Sequence, residues 1–141
     1  MTKILVIQSE LSIFNNSIFI KLLESEGFDV IVSENANVGL CKAQSDLPDL
    51  IISDIIMSEL DGYGILKALR ENIITAIIPF IFLTNEASQS DIRKAMEMGA
   101  DDIIIMKSCT EEEFLKAIIV RLERQAFLKK CYTTHKAKEI E

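Results

Sequence analysis

The stretch Pro48–Met57, which reads PDLIISDIIM, decides the fold of this chain. The triplet Leu50-Ile51-Ile52 within it has no polar interruption, which is typical of a strand covered on both faces of a parallel sheet. Asp54 follows this strand after a single serine. Because the carboxyl ends of parallel strands form the edge at which ligands bind, Asp54 is a candidate functional residue.

Four other short apolar runs accompany this strand. They are rich in β-branched residues, and the segments between them have the three-to-four-residue apolar spacing of amphipathic helices. The runs are Ile4–Ile7, Val30–Val32, Phe80–Leu83 and Ile103–Met106. This alternation predicts five βα units and therefore an α/β fold, a doubly wound five-stranded parallel sheet with helices on both faces.

Helix boundaries are marked by capping residues and glycines. Gly27 and Gly99 are predicted to end the first and fourth helices. Ser88 and Thr110 are predicted to begin the fourth and fifth helices, because acidic residues follow each of them within one turn. The helices therefore lie between the strands, where parallel crossover connections require them.

The length, charge and cysteine content of the chain exclude several classes of protein. Its 141 residues correspond to one domain, predicted at residues 1–125, with a C-terminal helix extension and polar tail at 126–141. A net charge of −7 argues against a nucleic-acid surface, since phosphate binding needs clustered cations. The three cysteines form no CxxC pair, and no apolar run reaches the roughly 18 residues of a membrane span. We therefore expect a cytoplasmic protein that contacts other proteins rather than membranes.

Three residues at strand ends suggest phosphoryl chemistry. Asp54, Thr84 and Lys107 each follow a strong apolar run, and adjacent parallel strands would bring them to one cleft. A carboxylate can act as the nucleophile while a hydroxyl and an ammonium donate hydrogen bonds to phosphoryl oxygens. Each residue also has a simpler structural role: Asp54 as a cap, Thr84 as a strand end and Lys107 as a surface or ion-paired lysine.

Several segments together resemble the receiver domains of two-component response regulators. Pro48–Met57 with Leu60-Asp61-Gly62 is similar to the phosphoacceptor segment of that family, and Ile78–Thr84 to its fourth strand. Gly99–Asp102 and the later Lys107 continue the pattern, so that the resemblance covers residues ~3–125. It implies a flavodoxin-like sheet in the order 2-1-3-4-5.

The resemblance also implies a mechanism and partners. Asp54 would accept a phosphoryl group from a histidine kinase or phosphotransfer protein, with Thr84 and Lys107 contacting the group and Mg²⁺ neutralising charge. Phosphorylation would switch a surface that docks a downstream protein partner. Apart from self-phosphorylation and dephosphorylation at Asp54, no enzyme activity is expected.

The metal site departs from the family pattern. Two adjacent acids usually follow the first strand, but this chain has Gln8 and Ser9, with Glu10 one residue further on. The remaining ligands would be Glu10, Asp54 and the main-chain carbonyl of Ile56. Because Mg²⁺ prefers charged oxygen ligands, we expect it to bind weakly or not at all.

Other departures leave the function open. Ile104 stands where the family has its aromatic switch residue, and the interval from Gly99 to Lys107 is one residue longer than usual. The alternative is a pseudo-receiver, a protein-interaction module that works without phosphorylation. A hydrolase of the aspartyl-phosphate type is disfavoured because Ile56 stands where its second acid would be.

The last helix is a candidate interaction surface. Val120 lies off the apolar stripe predicted to face the core, and Phe127 and Leu128 extend past the predicted end of the domain. We expect this helix to bind a partner or a second copy of the chain as a homodimer.

Overall fold

The computed structural model describes residues 1–8, 17–55 and 60–140, with the side chains of residue 17 and of 133–140 left aside. In these ranges one parallel sheet has the strand order β2-β1-β3-β4-β5. Its strands are β1 (Lys3–Ile7), β2 (Asp29–Ser33), β3 (Leu50–Ser53), β4 (Phe80–Thr84) and β5 (Asp102–Ile105). The doubly wound fold and the order 2-1-3-4-5 are confirmed.

A helix follows each strand along the chain. They are α1 (Ser17–Ser25), α2 (Ala36–Asp46), α3 (Gly62–Glu71), α4 (Gln89–Glu97) and α5 (Glu111–Ile140), with a short 3₁₀ helix at Met106–Ser108. Of the parts of the chain that are described, no helix has the length and apolarity needed to cross a bilayer.

Alternate strand residues supply two apolar layers, one on each face of the sheet. Leu5, Ile51 and Phe82 belong to the layer under α2, α3 and α4. Ile52 and Leu83 belong to the opposite layer, together with the following buried side chains of α1 and α5: Leu23, Phe114 and Ile118. Both faces of the central strands are therefore covered, which explains why these strands have no polar face.

The predicted helix boundaries are found in the structure. Ser88 and Asp91 form a reciprocal capping box at the start of α4, and the main-chain N–H of Glu113 donates to Thr110 Oγ1 at the start of α5. Gly27 and Gly99 have φ angles of +88° and +100°, in the region that glycine adopts without strain. Each glycine thus ends a helix and lets the chain turn towards the next strand.

The last helix is longer than the domain needs. Its 30 residues span about 45 Å, and the helix continues without a break through the segment assigned to a polar tail. Residues 126–140, called the extension here, follow Gln125, whose side chain donates to the carbonyl of Ile77. The division of the chain at residue 125 remains a prediction.

Candidate functional site

Asp54 lies directly after β3, at the carboxyl edge of the sheet, and is half-buried. Its main-chain N–H donates to the carbonyl of Ile7 at 3.0 Å, which extends the pairing of β3 with β1 by one residue. The buried hydroxyl of Ser53 donates to the Asp54 carbonyl at 2.8 Å. The main chain that carries the candidate nucleophile is therefore fixed on both sides.

Gly62, at the start of α3, approaches this main chain closely. A Cβ atom at position 62 would lie 2.3 Å from the carbonyl oxygen of Asp54 and 2.8 Å from the ring of Phe82. The Gly62 N–H donates to the Ile55 carbonyl at 2.7 Å, and Asp61 caps the helix through the N–H of Gly64. The Asp61-Gly62 pair thus packs α3 tightly against the Asp54 segment.

Thr84 is the last residue of β4, the strand adjacent to β3, and is partly buried. Register pairs Ser53 with Phe82 and Thr84 with Ile105, so the carboxyl ends of β3, β4 and β5 form one edge. The Thr84 hydroxyl donates to the carbonyl of Glu86 at 3.0 Å. In this structure the hydroxyl therefore orders the loop that follows β4.

Lys107 does not directly follow its strand. The sequence predicted a strand through Met106, but β5 ends at Ile105 and Met106 begins the 3₁₀ helix, so this boundary was wrong by one residue. Lys107 is the middle residue of that turn. Lys107 is exposed there, and its ammonium donates to Glu86 Oε1 at 2.5 Å.

Glu86 is the residue that sequence analysis missed. A hydrogen bond from Lys107, and then the lysine charge, lower the pKa of its carboxyl. The ion pair is therefore present at neutral pH and is lost as the pH falls through this lowered pKa. Nothing in a single sequence distinguishes Glu86 from any solvated loop acid, because its partner lies 21 positions away.

The metal ligands inferred from the sequence are only partly described. Gln8 follows β1 next to Asp54, and its N–H donates to the Ser33 carbonyl at 2.8 Å. Ser9, Glu10 and Ile56 lie outside the described residues. No cluster of three metal-binding side chains occurs among those that the structure describes. One carboxylate and one amide at adjacent strand ends fit Mg²⁺ poorly, since this ion prefers several charged oxygens.

Restoring the missing charges should create a stronger metal site. We expect the double variant Gln8→Asp, Ser9→Asp to bind Mg²⁺ about tenfold more tightly than the unaltered chain, because each carboxylate adds ligand charge. Isothermal titration calorimetry measures the difference. Gln89→Asp, Ser90→Asp is the matched control, since it adds the same charge to the same residue pair on α4. Equal affinity in all three proteins would show that Gln8 and Ser9 do not limit metal binding.

The sheet order and the aspartate at the end of the central strand define a flavodoxin-like α/β protein with its site at the carboxyl edge. Residues 4–119 match the response regulator receiver domain family, and the chain therefore belongs to that family. It is a receiver domain of the two-component signalling type. Receiver domains interact with histidine kinases and with downstream effectors and are in general not enzymes.

Curated relatives are longer than this chain. Response regulator ArlR of Staphylococcus saprophyticus is 36% identical over 126 residues, which are 89% of this chain and 54% of that protein. The regulatory protein PhoP of Bacillus subtilis is 34% identical over 86% of this chain and 50% of that protein. Histidine kinase P4 of Formosa agariphila is 35% identical over 84% of this chain but 9% of its own length. The chain thus spans about half of two of these relatives and a small part of the third.

Solved structures agree with the fold. The chemotaxis response regulator CheY4 of Vibrio cholerae superimposes with a TM-score of 0.75 and 27% identity, covering 86% of this chain and 98% of that one. The receiver domain of a histidine kinase from Syntrophus aciditrophicus gives a TM-score of 0.76 with 28% identity, covering 87% and 91%.

Proposed function

We propose that this receiver accepts a phosphoryl group on Asp54 slowly and with little help from a metal ion. The supporting observation is the fixed, half-buried position of Asp54 at the carboxyl edge. Thr84 ends β4 at the same edge, and the turn that follows β5 there holds Lys107. The physiological donor would be a histidine kinase or a phosphotransfer protein in the cytoplasm.

The proposed step is a displacement at phosphorus. A carboxylate oxygen of Asp54 forms a bond to the phosphorus atom, while the bond from phosphorus to the donor's leaving atom breaks and the leaving group keeps the electron pair. With acetyl phosphate the leaving group is acetate. Thr84 and Lys107 would donate hydrogen bonds to the phosphoryl oxygens, where negative charge is stabilised by preorganised donors.

Charge explains why the reaction should be slow. A phosphoryl dianion approaches a carboxylate, and Lys107, the lysine in the turn after β5, is paired with Glu86. Lys107 has to leave Glu86 before it can contact the phosphoryl group. Because both side chains of this pair are exposed, the pair is weak, so its opening costs little and does not prevent the reaction.

Intact-mass analysis after incubation with acetyl phosphate and Mg²⁺ tests the proposal. We expect a slow mass increase of one phosphoryl group, absent in Asp54→Asn and faster in Gln8→Asp, Ser9→Asp. Asp49→Asn is the matched control, because Asp49 lies at the amino end of β3 and accepts a hydrogen bond from the Lys3 N–H. A phosphorylated Asp54→Asn variant would contradict the proposal.

The second candidate function is a phosphorylation-independent pseudo-receiver. The pairing of Lys107 with Glu86 and the loss of the acid pair at Gln8 and Ser9 favour it. It would be adopted if the unaltered chain stays unmodified while the restored double variant is labelled. In that case the downstream partner, and not phosphate, would set the state of the domain.

We further propose that the chain self-associates through the last helix. Val120, Phe127 and Leu128 are exposed on α5. Burial of these side chains against a second chain would remove apolar surface from water.

A further inference from the structure

The loop between α3 and β4, residues 72–79, exposes three isoleucines and is called the isoleucine loop here. Ile73, Ile74 and Ile77 are 90%, 63% and 62% exposed. The loop lies at the amino-terminal edge of the sheet, which is opposite to the edge that carries Asp54. Three large aliphatic side chains on one short loop form an apolar patch that the domain itself does not cover.

The isoleucine loop is held firmly in place. Arg70 Nη1 donates to the carbonyls of Ala76 and Ile78 at 3.1 and 2.7 Å. The buried hydroxyl of Thr75 donates to the Leu69 carbonyl at 2.7 Å. The Asn72 side chain accepts the N–H of Ile74 at 3.0 Å. Since the loop is already ordered, binding to its apolar patch would cost little further conformational entropy.

The last helix leaves the domain beside this loop. Gln125 Nε2 donates to the Ile77 carbonyl at 3.0 Å. Leu128 and Tyr132 lie about one and two turns further along the same side of α5, and both are exposed. The extension therefore presents apolar side chains next to the isoleucine loop, at the same edge of the domain.

The amino-terminal edge has exposed acidic residues, and the extension has an excess of lysines. Exposed acids lie where the helices turn into the strands at the amino-terminal edge: Glu26, Asp29, Asp46, Glu71 and Glu97. The extension contains four lysines and one glutamate, and Lys129 and Lys130 are exposed. Because α5 is one continuous helix, the extension cannot fold back over the edge of its own domain.

We infer that the extension of one copy of this chain docks on the isoleucine loop and acidic edge of a second copy, and that the second copy does the same in return. Leu128 and Tyr132 would cover the isoleucine loop, and Lys129 and Lys130 would face acids such as Glu71. The arrangement is self-complementary, as a twofold dimer requires. It rests on the proposed self-association and adds the surface that receives the helix.

Light scattering coupled to size-exclusion chromatography tests this arrangement on the full chain. We expect the unaltered chain to be a dimer. Its dissociation constant should rise about tenfold or more in Ile74→Lys and in Leu128→Glu, because each change puts a charge into an apolar contact. The matched controls are Ile18→Lys and Val38→Glu, on α1 and α2. Ile18 is 62% exposed against 63% for Ile74, and Val38 and Leu128 are each 47% exposed. Both controls should remain dimeric.

Mixing the two variants identifies the pairing. A mixed dimer of Ile74→Lys with Leu128→Glu retains one unaltered contact and places opposite charges in the other. We expect the mixed dimer to have a lower dissociation constant than the dimer of either variant with itself. Raised salt should weaken the dimer of the unaltered chain, because salt screens the attraction between lysines and acids.

Three results would overturn the inference. A monomeric unaltered chain at high concentration would remove the dimer and with it the proposed self-association. If Leu128→Glu is monomeric while Ile74→Lys stays dimeric, self-association holds but the helix pairs elsewhere. A mixture no tighter than either variant alone would exclude the reciprocal contact. None of these results bears on phosphorylation of Asp54.

Discussion

Arg70→Met is expected to lower the free energy of unfolding by about 2–3 kcal/mol, because it removes donors from partly buried carbonyls. Arg70 donates to the carbonyl of Gly99 at 3.1 and 3.0 Å and pairs with Asp101 at 3.2 Å, in addition to its bonds to the isoleucine loop. Asp101 in turn accepts the Phe80 N–H at 2.8 Å. One guanidinium thus joins the turns before β4 and β5.

Urea denaturation followed by circular dichroism measures the loss of unfolding free energy. The slope of this free energy against urea concentration should stay unchanged if only stability is affected. The matched control is Arg93→Met, which removes an exposed arginine of α4 and should change stability little. Arg70→Lys should recover little of the loss, since an ammonium cannot reproduce the planar fork of donors. If Arg70→Met and Arg93→Met are equally stable, the hydrogen bonds of Arg70 contribute nothing to the free energy of unfolding.

The strands and helix ends could be predicted because their causes are local. The apolar run at Leu50–Ile52 predicts a buried strand, and Ser88 with Asp91 predicts a helix start through contacts three residues apart. The position of Asp54 at the carboxyl edge follows from the strand that precedes it. Its role as phosphoacceptor remains a proposal.

Long-range partners could not be predicted. Arg70 and Gly99 are 29 positions apart, and only the folded chain brings the side chain of one to the carbonyl of the other. The pairing of Lys107 with Glu86 could not be predicted for the same reason, since these residues are 21 positions apart. An arginine near a helix end and a glutamate in a loop are ordinary surface residues in any single sequence.

The end of β5 was missed for a different reason. The run Ile103–Met106 is apolar throughout, so its pattern gives no sign of where the strand stops. Thr84 is the last residue of β4, and it pairs with Ile105. Because β4 offers no partner for Met106, the chain leaves the sheet there and enters the 3₁₀ helix. The length of the neighbouring strand, and not the run itself, sets this boundary.

Deletion of Met106 is expected to speed phosphorylation of Asp54 by about 100-fold, the usual contribution of one well-placed donor to charge stabilisation. The deletion makes Lys107 the first residue after Ile105. Because a 3₁₀ helix has three residues per turn, a shift of one residue rotates the direction of the lysine side chain by about a third of a turn. It would also separate the ammonium from Glu86, its partner in the present turn.

The rate of mass gain with acetyl phosphate measures this effect, and circular dichroism checks that the variant is folded. Met106→Ala is the matched control: it removes a partly buried side chain from the layer under α1 and α5 but keeps the length of the loop, and its rate should not rise. Glu86→Gln releases Lys107 without moving it and should give a much smaller gain than the deletion. If the folded deletion variant is no faster than the unaltered chain, the position of Lys107 does not limit the reaction.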